Sequence, residues 1–172
     1  MSPGLSYANE REFAVKAGFI FNFARYSEGS WFNPNRSDRY TICSFNPQFV
    51  LTASKTLKNQ KVKNRPVEVH LVSVKGIPNE ICNSFYLTSI NDSLIGKVVD
   101  NPKLSNTMLI GENKKFIQSG GHINLFITGG KVRFEVDANA LASSGIKMSS
   151  KVLRLGRVVE GAVNNEKVNP SI

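Results

Sequence analysis

The sequence predicts an α/β fold: a three-layer α/β/α sandwich with a mixed sheet, a parallel core and a C-terminal antiparallel β-hairpin. Three observations lead there. Short β-rich apolar segments alternate with helical spacing from Tyr40 to Ile110, and strand–helix–strand repeats imply parallel pairing through right-handed crossovers. Two period-two segments flank Thr128-Gly129-Gly130, the pattern of a tight hairpin. The length, 172 residues, suits one domain with a sizeable core. Residues 1–9 read as a lead-in, 10–160 as the single domain and 161–172 as a polar, flexible tail.

The first element runs from Glu10 to Tyr26. Phe13, Ala17, Ile20, Phe21 and Ala24 recur at helical spacing, and Phe19 and Phe23 widen the stripe. Asn9 is placed to cap it, with Glu10 and Glu12 near the positive end of the dipole. So many aromatics fit either one wide core-facing stripe or a helix held between the core and a second subunit. The second option gives a homodimer with Phe19 and Phe23 at its interface, since a monomer would expose them as a patch. Arg25, Tyr26 and Trp31 follow; these types are enriched at binding hot spots. The alternative for Trp31 is a plug in the core beneath the helix. Asn33-Pro34-Asn35 then makes a turn.

Tyr40 to Phe45 is the first core strand. Asn46-Pro47 starts a helix that reaches Lys58. Lys61 to Asn64 is a turn-like basic stretch, and Val67 to Val72 alternates as a half-buried strand. Ser84 to Leu87 is another strand, Asn91 caps a helix through Val99, and Thr107 to Ile110 is a further strand. Lys114 to Gln118 fits one helical turn. His122 to Ile127 and Lys131 to Val136 form the hairpin, Asp137 caps a helix ended by Gly145, and Ser149-Ser150 opens a last helix to Val158.

Composition narrows the function. The chain is 41% hydrophobic and 20% charged, with net charge +9. A basic balance suits an acidic partner, an anionic membrane surface or nucleic acid. The cations are scattered and carry no interleaved aromatics, so nucleic acid is not expected and a solvated basic face is. The first βα turn, Phe45-Asn46-Pro47-Gln48, has no glycines to cradle a phosphate. There is no Walker lysine loop and no nucleophile elbow. His70 and His122 sit in strand contexts and read as hydrogen-bonded histidines. Helix capping explains Asp137, and Glu135 can pair across the hairpin. No catalytic residue, cofactor or metal is expected.

Cys43 and Cys82 are the two cysteines, each in a strand-like segment. They are compatible with a staple between neighbouring parallel strands or with two buried thiols. Structural zinc sites place cysteines about two to four residues apart, and whole elements separate these two.

Four blocks together resemble the YfiR family of periplasmic regulators. They are Phe13-Ala14-Val15-Lys16-Ala17-Gly18-Phe19-Ile20-Phe21-Asn22-Phe23 with Trp31; Asn64-Arg65-Pro66-Val67; Gly120-Gly121-His122-Ile123-Asn124-Leu125; and Val132-Arg133-Phe134-Glu135-Val136-Asp137 through Ser144-Gly145-Ile146-Lys147-Met148-Ser149-Ser150 to Leu155. The likeness covers about residues 10 to 158.

The resemblance implies a homodimeric periplasmic protein whose signal peptide has been removed. It implies a partner: the periplasmic sensory domain of a membrane diguanylate cyclase, which the family restrains to keep cyclic di-GMP and biofilm low. It also implies release by an outer-membrane lipoprotein. The alternative is a small-ligand sensor module acting on a sensor histidine kinase. The family's strand-linking cysteine pair matches Cys43 and Cys82, so the resemblance implies a disulfide. The second, hairpin-region pair of some members has no counterpart, since Ser119 and Gly120-Gly121 stand there. In some members the segment matching Lys147-Met148-Ser149 lies near a proposed ligand pocket. Lys147 and Ser149 are candidate ligand-binding residues on that basis, and helix capping is the other role open to Ser149.

Overall fold

The computed structural model describes residues 3–76 and 80–161. The elements run α1 (Pro3–Arg25), β1 (Ser27–Glu28), β2 (Tyr40–Ser44), α2 (Pro47–Thr56), β3 (Lys61–Val62), β4 (Arg65–Leu71), β5 (Ser84–Leu87), α3 (Asp92–Val99), β6 (Met108–Gly111), β7 (Ile123–Thr128), β8 (Lys131–Val136), α4 (Ala138–Ser143), β9 (Lys147–Met148), α5 (Ser150–Leu153) and β10 (Arg157–Val158). Eight strands form one sheet in the order β10-β8-β7-β6-β5-β2-β4-β3. The five central strands, β4, β2, β5, β6 and β7, pair parallel. The β7–β8 hairpin is antiparallel, with Ile127 opposite Val132 beside the glycine turn. The architecture is the mixed α/β sandwich that the alternation of segments predicts.

Side chains that alternate along the strands separate two cores. Tyr40, Ile42, Tyr86, Met108 and Ile110 join residues of α1, α2 and α4 on one face. Cys43, Phe85, Leu87 and Leu109 join Ile95 and Val98 of α3 on the other. Three expected caps are in place. Asn46, Asn91 and Asp137 accept from the backbone N–H groups of Phe49, Leu94 and Ala140 at 3.0, 2.9 and 3.0 Å.

Several boundaries differ from expectation. Helix α1 starts at Pro3, so Asn9 lies within it and caps nothing. The basic stretch at Lys61 is an edge strand; Lys63 and Asn64, with φ of +49° and +66°, make the two-residue turn into β4. The last helix stops at Leu153, and Arg157–Val158 adds a strand parallel to β8. Gly156 marks that break: a Cβ there would meet the Phe134 ring at 2.2 Å. Segments β1 and β9 form a small antiparallel sheet of their own. Beyond Gly161 the expected tail lies outside the described residues, as do Met1 and Ser2.

The aromatic stripe of α1 is absorbed by its own chain. Phe13 packs edge-on against Phe49 of α2 at 5.6 Å, while Phe19 and Phe23 pack against Phe134 of β8 at 6.0 and 4.9 Å. Phe23 is 1% exposed and Phe19 is half-buried. Most of the stripe is therefore covered by the chain's own α2 and β8, with Phe19 left half-buried; α1 packs beside α2, which itself packs on β2 and β4. Lys16, expected on a solvated face, is also buried.

Candidate functional site

A groove of about 1000 Å³ opens beside the amino ends of β2, β5 and β6. Parallel strands align those ends, and the segments that enter them build the walls. Trp31 and Phe32 contribute the edges of otherwise buried rings. Trp31 Nε1 donates to the Tyr40 hydroxyl at 3.3 Å, and that hydroxyl is 2.6 Å from Ser84 Oγ. Burial pushes the Tyr40 phenol above its ordinary range, so it stays neutral. Trp31 is thus the core plug, the second of the two roles open to it, with one edge in the groove.

The floor is held by short polar links. Asn83 Oδ1 accepts from the Thr41 N–H at 2.8 Å, and the Thr107 hydroxyl donates to the Cys82 carbonyl at 2.8 Å. Arg36, Lys63 and Lys103 line the rim against Glu28 and Glu80. Lys63 pairs with Glu28 at 2.8 Å. Ile81 projects from the same rim with 76% exposure. A rim of unequal charge around an exposed aliphatic side chain is suited to recognising an acidic protein surface.

The disulfide stands at this groove. Cys43 on β2 and Cys82, just before β5, are joined with Cα atoms 5.7 Å apart, and Cys82 lines the wall. Cross-linking a segment of roughly 40 residues is worth about 4 kcal/mol in the chain-entropy model. A second cavity of about 330 Å³ adjoins, lined by Arg39, His70 and Glu80. His70 places Nε2 2.9 Å from Glu68 and Nδ1 3.2 Å from Glu80. Arg39 reaches Glu68 at 3.0 Å. The His70 hydrogen bond, with Arg39 beside it, holds the Glu68 carboxyl below its ordinary range.

The remaining candidates are dispersed. Tyr26 is 43% exposed, and Arg25 stacks on its ring at 4.8 Å and donates to its hydroxyl at 2.8 Å. Arg25 lines a separate shallow basic surface with Lys61 and Lys63. Lys147 is exposed on β9 opposite Glu28. Ser149 caps α5, its hydroxyl accepting from the Lys151 N–H at 3.2 Å. Neither Lys147 nor Ser149 lines the groove. Arg36, Glu80, Ile81 and Lys103 were not singled out from the sequence. They sit in connecting segments without periodicity, and only the fold gathers them.

Among the described residues no helix is long and apolar enough to cross a membrane. No curated protein sequence matches the chain. A solved structure, "The Crystal Structure of the ABC domain in complex with L-Trp from Streptococcus pneumonia", is similar at 13% identity and a TM-score of 0.55, over 86% of this chain and 60% of that one. At that identity the likeness concerns the fold, and the chain spans about three fifths of that protein's length. The family model described as YfiR/HmsC-like (DUF4154) matches residues 13–157, from the middle of α1 into β10. That span contains the whole groove, the disulfide and every strand of the sheet up to its last edge, and the chain belongs to the YfiR/HmsC-like family.

Proposed function

We propose that this protein is a periplasmic regulator that binds the sensory domain of an inner-membrane diguanylate cyclase and lowers its output, keeping cyclic di-GMP and biofilm formation low. The family match over residues 13–157 carries this reading. The family is a regulatory one. The disulfide supports an oxidising compartment. The groove rim, with Arg36, Lys103 and exposed Ile81, supports docking of an acidic protein surface. A homodimer and release by an outer-membrane lipoprotein belong to the same reading.

Deleting the gene in its host tests it. Cyclic di-GMP should rise, and the oxidised protein should recover a cyclase from membranes by pull-down. Unchanged cyclic di-GMP with no cyclase recovered overturns the reading and turns the search to a sensor kinase.

A further inference from the structure

Three side chains able to bind a metal converge beside the groove, and His70 stands behind one of them. The ligand atoms of Cys43, Glu80 and Cys82 all lie within 4.8 Å of one another. Cys43 Sγ is 3.8 Å from a Glu80 oxygen, and His70 Nδ1 is 3.3 and 3.2 Å from the two Glu80 oxygens. Tetrahedral zinc, with bonds of about 2.0–2.3 Å, keeps neighbouring ligand atoms roughly 3.3–3.8 Å apart. The Cys43–Glu80 contact already has the length of a tetrahedron's edge, and Cys82 lies within 4.8 Å of both. The edge between the two sulfurs is a covalent bond in the oxidised chain.

The surroundings fit the same chemistry. Zinc-ligating carboxylates are themselves held by hydrogen bonds; His70 Nδ1 lies 3.2 Å from Glu80, and Glu68 lies 2.9 Å from His70 Nε2. Arg39 in turn holds Glu68. The sulfurs are buried, but the side chains of His70 and Glu80 are 28% and 42% exposed. A cation therefore has an approach from solvent on the carboxylate side.

We propose that reduction of the Cys43–Cys82 disulfide by a dithiol creates a zinc site. Its ligands are the two thiolates and the Glu80 carboxylate, with water in the fourth position and His70 holding Glu80 from behind. The dithiol gives two electrons and two protons to the disulfide and becomes a cyclic disulfide itself, leaving two thiols on the chain. Zn²⁺ then displaces the two thiol protons and joins both sulfurs. The pair is closed in both states, by the S–S bond when oxidised and through the metal when reduced. Sequence spacing hides this site because its ligands come from β2 and the segment before β5, with His70 of β4 behind them. It does not depend on the cyclase reading.

The full chain, reduced with a phosphine and freed of it without air, is titrated with Zn²⁺ against a chromophoric chelator and with Co²⁺ as a spectroscopic probe. One metal per chain is expected, with sulfur-to-cobalt charge transfer and tetrahedral visible bands. The oxidised chain and the Cys43→Ser/Cys82→Ser variant should lack both. Glu80→Gln and His70→Ala should each weaken zinc by about tenfold or more. Melting of the reduced chain with and without zinc guards against loss of fold on reduction, and zinc should raise its Tm. The proposal is overturned if reduction adds no zinc binding, if zinc leaves the melting unchanged, or if both single variants bind like the unmutated chain.

Discussion

Lys16 of α1 and Glu112, one residue beyond β6, meet at 2.7 Å beneath the helix. Glu112 also accepts from the Tyr86 hydroxyl at 2.5 Å and from the Thr88 hydroxyl. Lys16 has a second carboxylate, Glu12, at 2.9 Å. Burial, with Glu112 beside it, pushes the Tyr86 phenol up and keeps it a neutral donor. The cluster anchors α1 to the carboxyl end of the sheet. Lys16→Ala leaves Glu112 without its cation in a mostly buried place. The expected loss is about 2–4 kcal/mol, read as a lower urea midpoint at unchanged slope. A loss of no more than about 0.5 kcal/mol would show that the pair contributes no more than a surface contact.

His122 gives the protein an acid sensitivity. It is 4% exposed. Its Nδ1 accepts from the Leu109 N–H at 2.9 Å, and its Nε2–H points at Ser144 Oγ, 3.0 Å away. Desolvation lowers its pKa from 6.5 to about 4, against a weak opposing pull from Asp137. The folded value lies below the unfolded one, so folding favours the neutral ring. That contribution is fully present above 6.5 and is lost as the pH falls from there towards 4, at most about 3 kcal/mol. Urea midpoints measured across this window should fall less steeply for His122→Gln than for the unmutated chain. Parallel slopes would place the acid sensitivity elsewhere.

Phe116 explains two glycines, Gly111 and Gly121, that no pattern in the sequence accounts for. Its ring is fully buried against both Gly111 and Gly121, where an added Cβ would meet ring atoms at 2.6 and 2.2 Å. The neighbouring Gly120 has φ of +108°, which side chains other than glycine rarely adopt. Gly121→Ala should cost about 1–3 kcal/mol through overpacking. Gly121→Ala combined with Phe116→Leu should recover part of that loss, because the two changes share one contact. A double variant no better than the sum of the singles would remove Phe116 as the reason for the glycine.

These cases show which parts of the fold were legible. Strands β2, β5 and β6 announce themselves as short apolar runs, and Asn46, Asn91 and Asp137 cap helices because their side chains can only satisfy N–H groups at those places. Two-residue strands such as β1, β9 and β10 have no period to read. The aromatics of α1 were legible as buried but not as buried by whom. Period 3.6 reports which face is apolar, and α2 and β8 both cover that helix from distant positions in the chain. The groove was illegible for the same reason: Arg36, Ile81 and Lys103 lie in three connectors that share no pattern.

The groove rim makes the last prediction. Arg36 and Lys103 have no carboxylate partner among the described residues, and Ile81 is 76% exposed. None of the three contributes to either core, so Arg36→Glu, Ile81→Asp and Lys103→Glu should leave stability within about 0.5 kcal/mol. If an acidic sensory domain docks here, each charge reversal meets like charge and also slows encounter. Binding of the cyclase's isolated sensory domain should weaken about tenfold or more, equivalent to about 1.4 kcal/mol, and the two charge variants should lose most of their deficit in high salt. Lys151→Glu, on α5 outside the groove, separates the site from bulk charge. Equal weakening by Lys151→Glu would assign the effect to the net charge of +9, and full binding by all three rim variants would move the docking face off this groove.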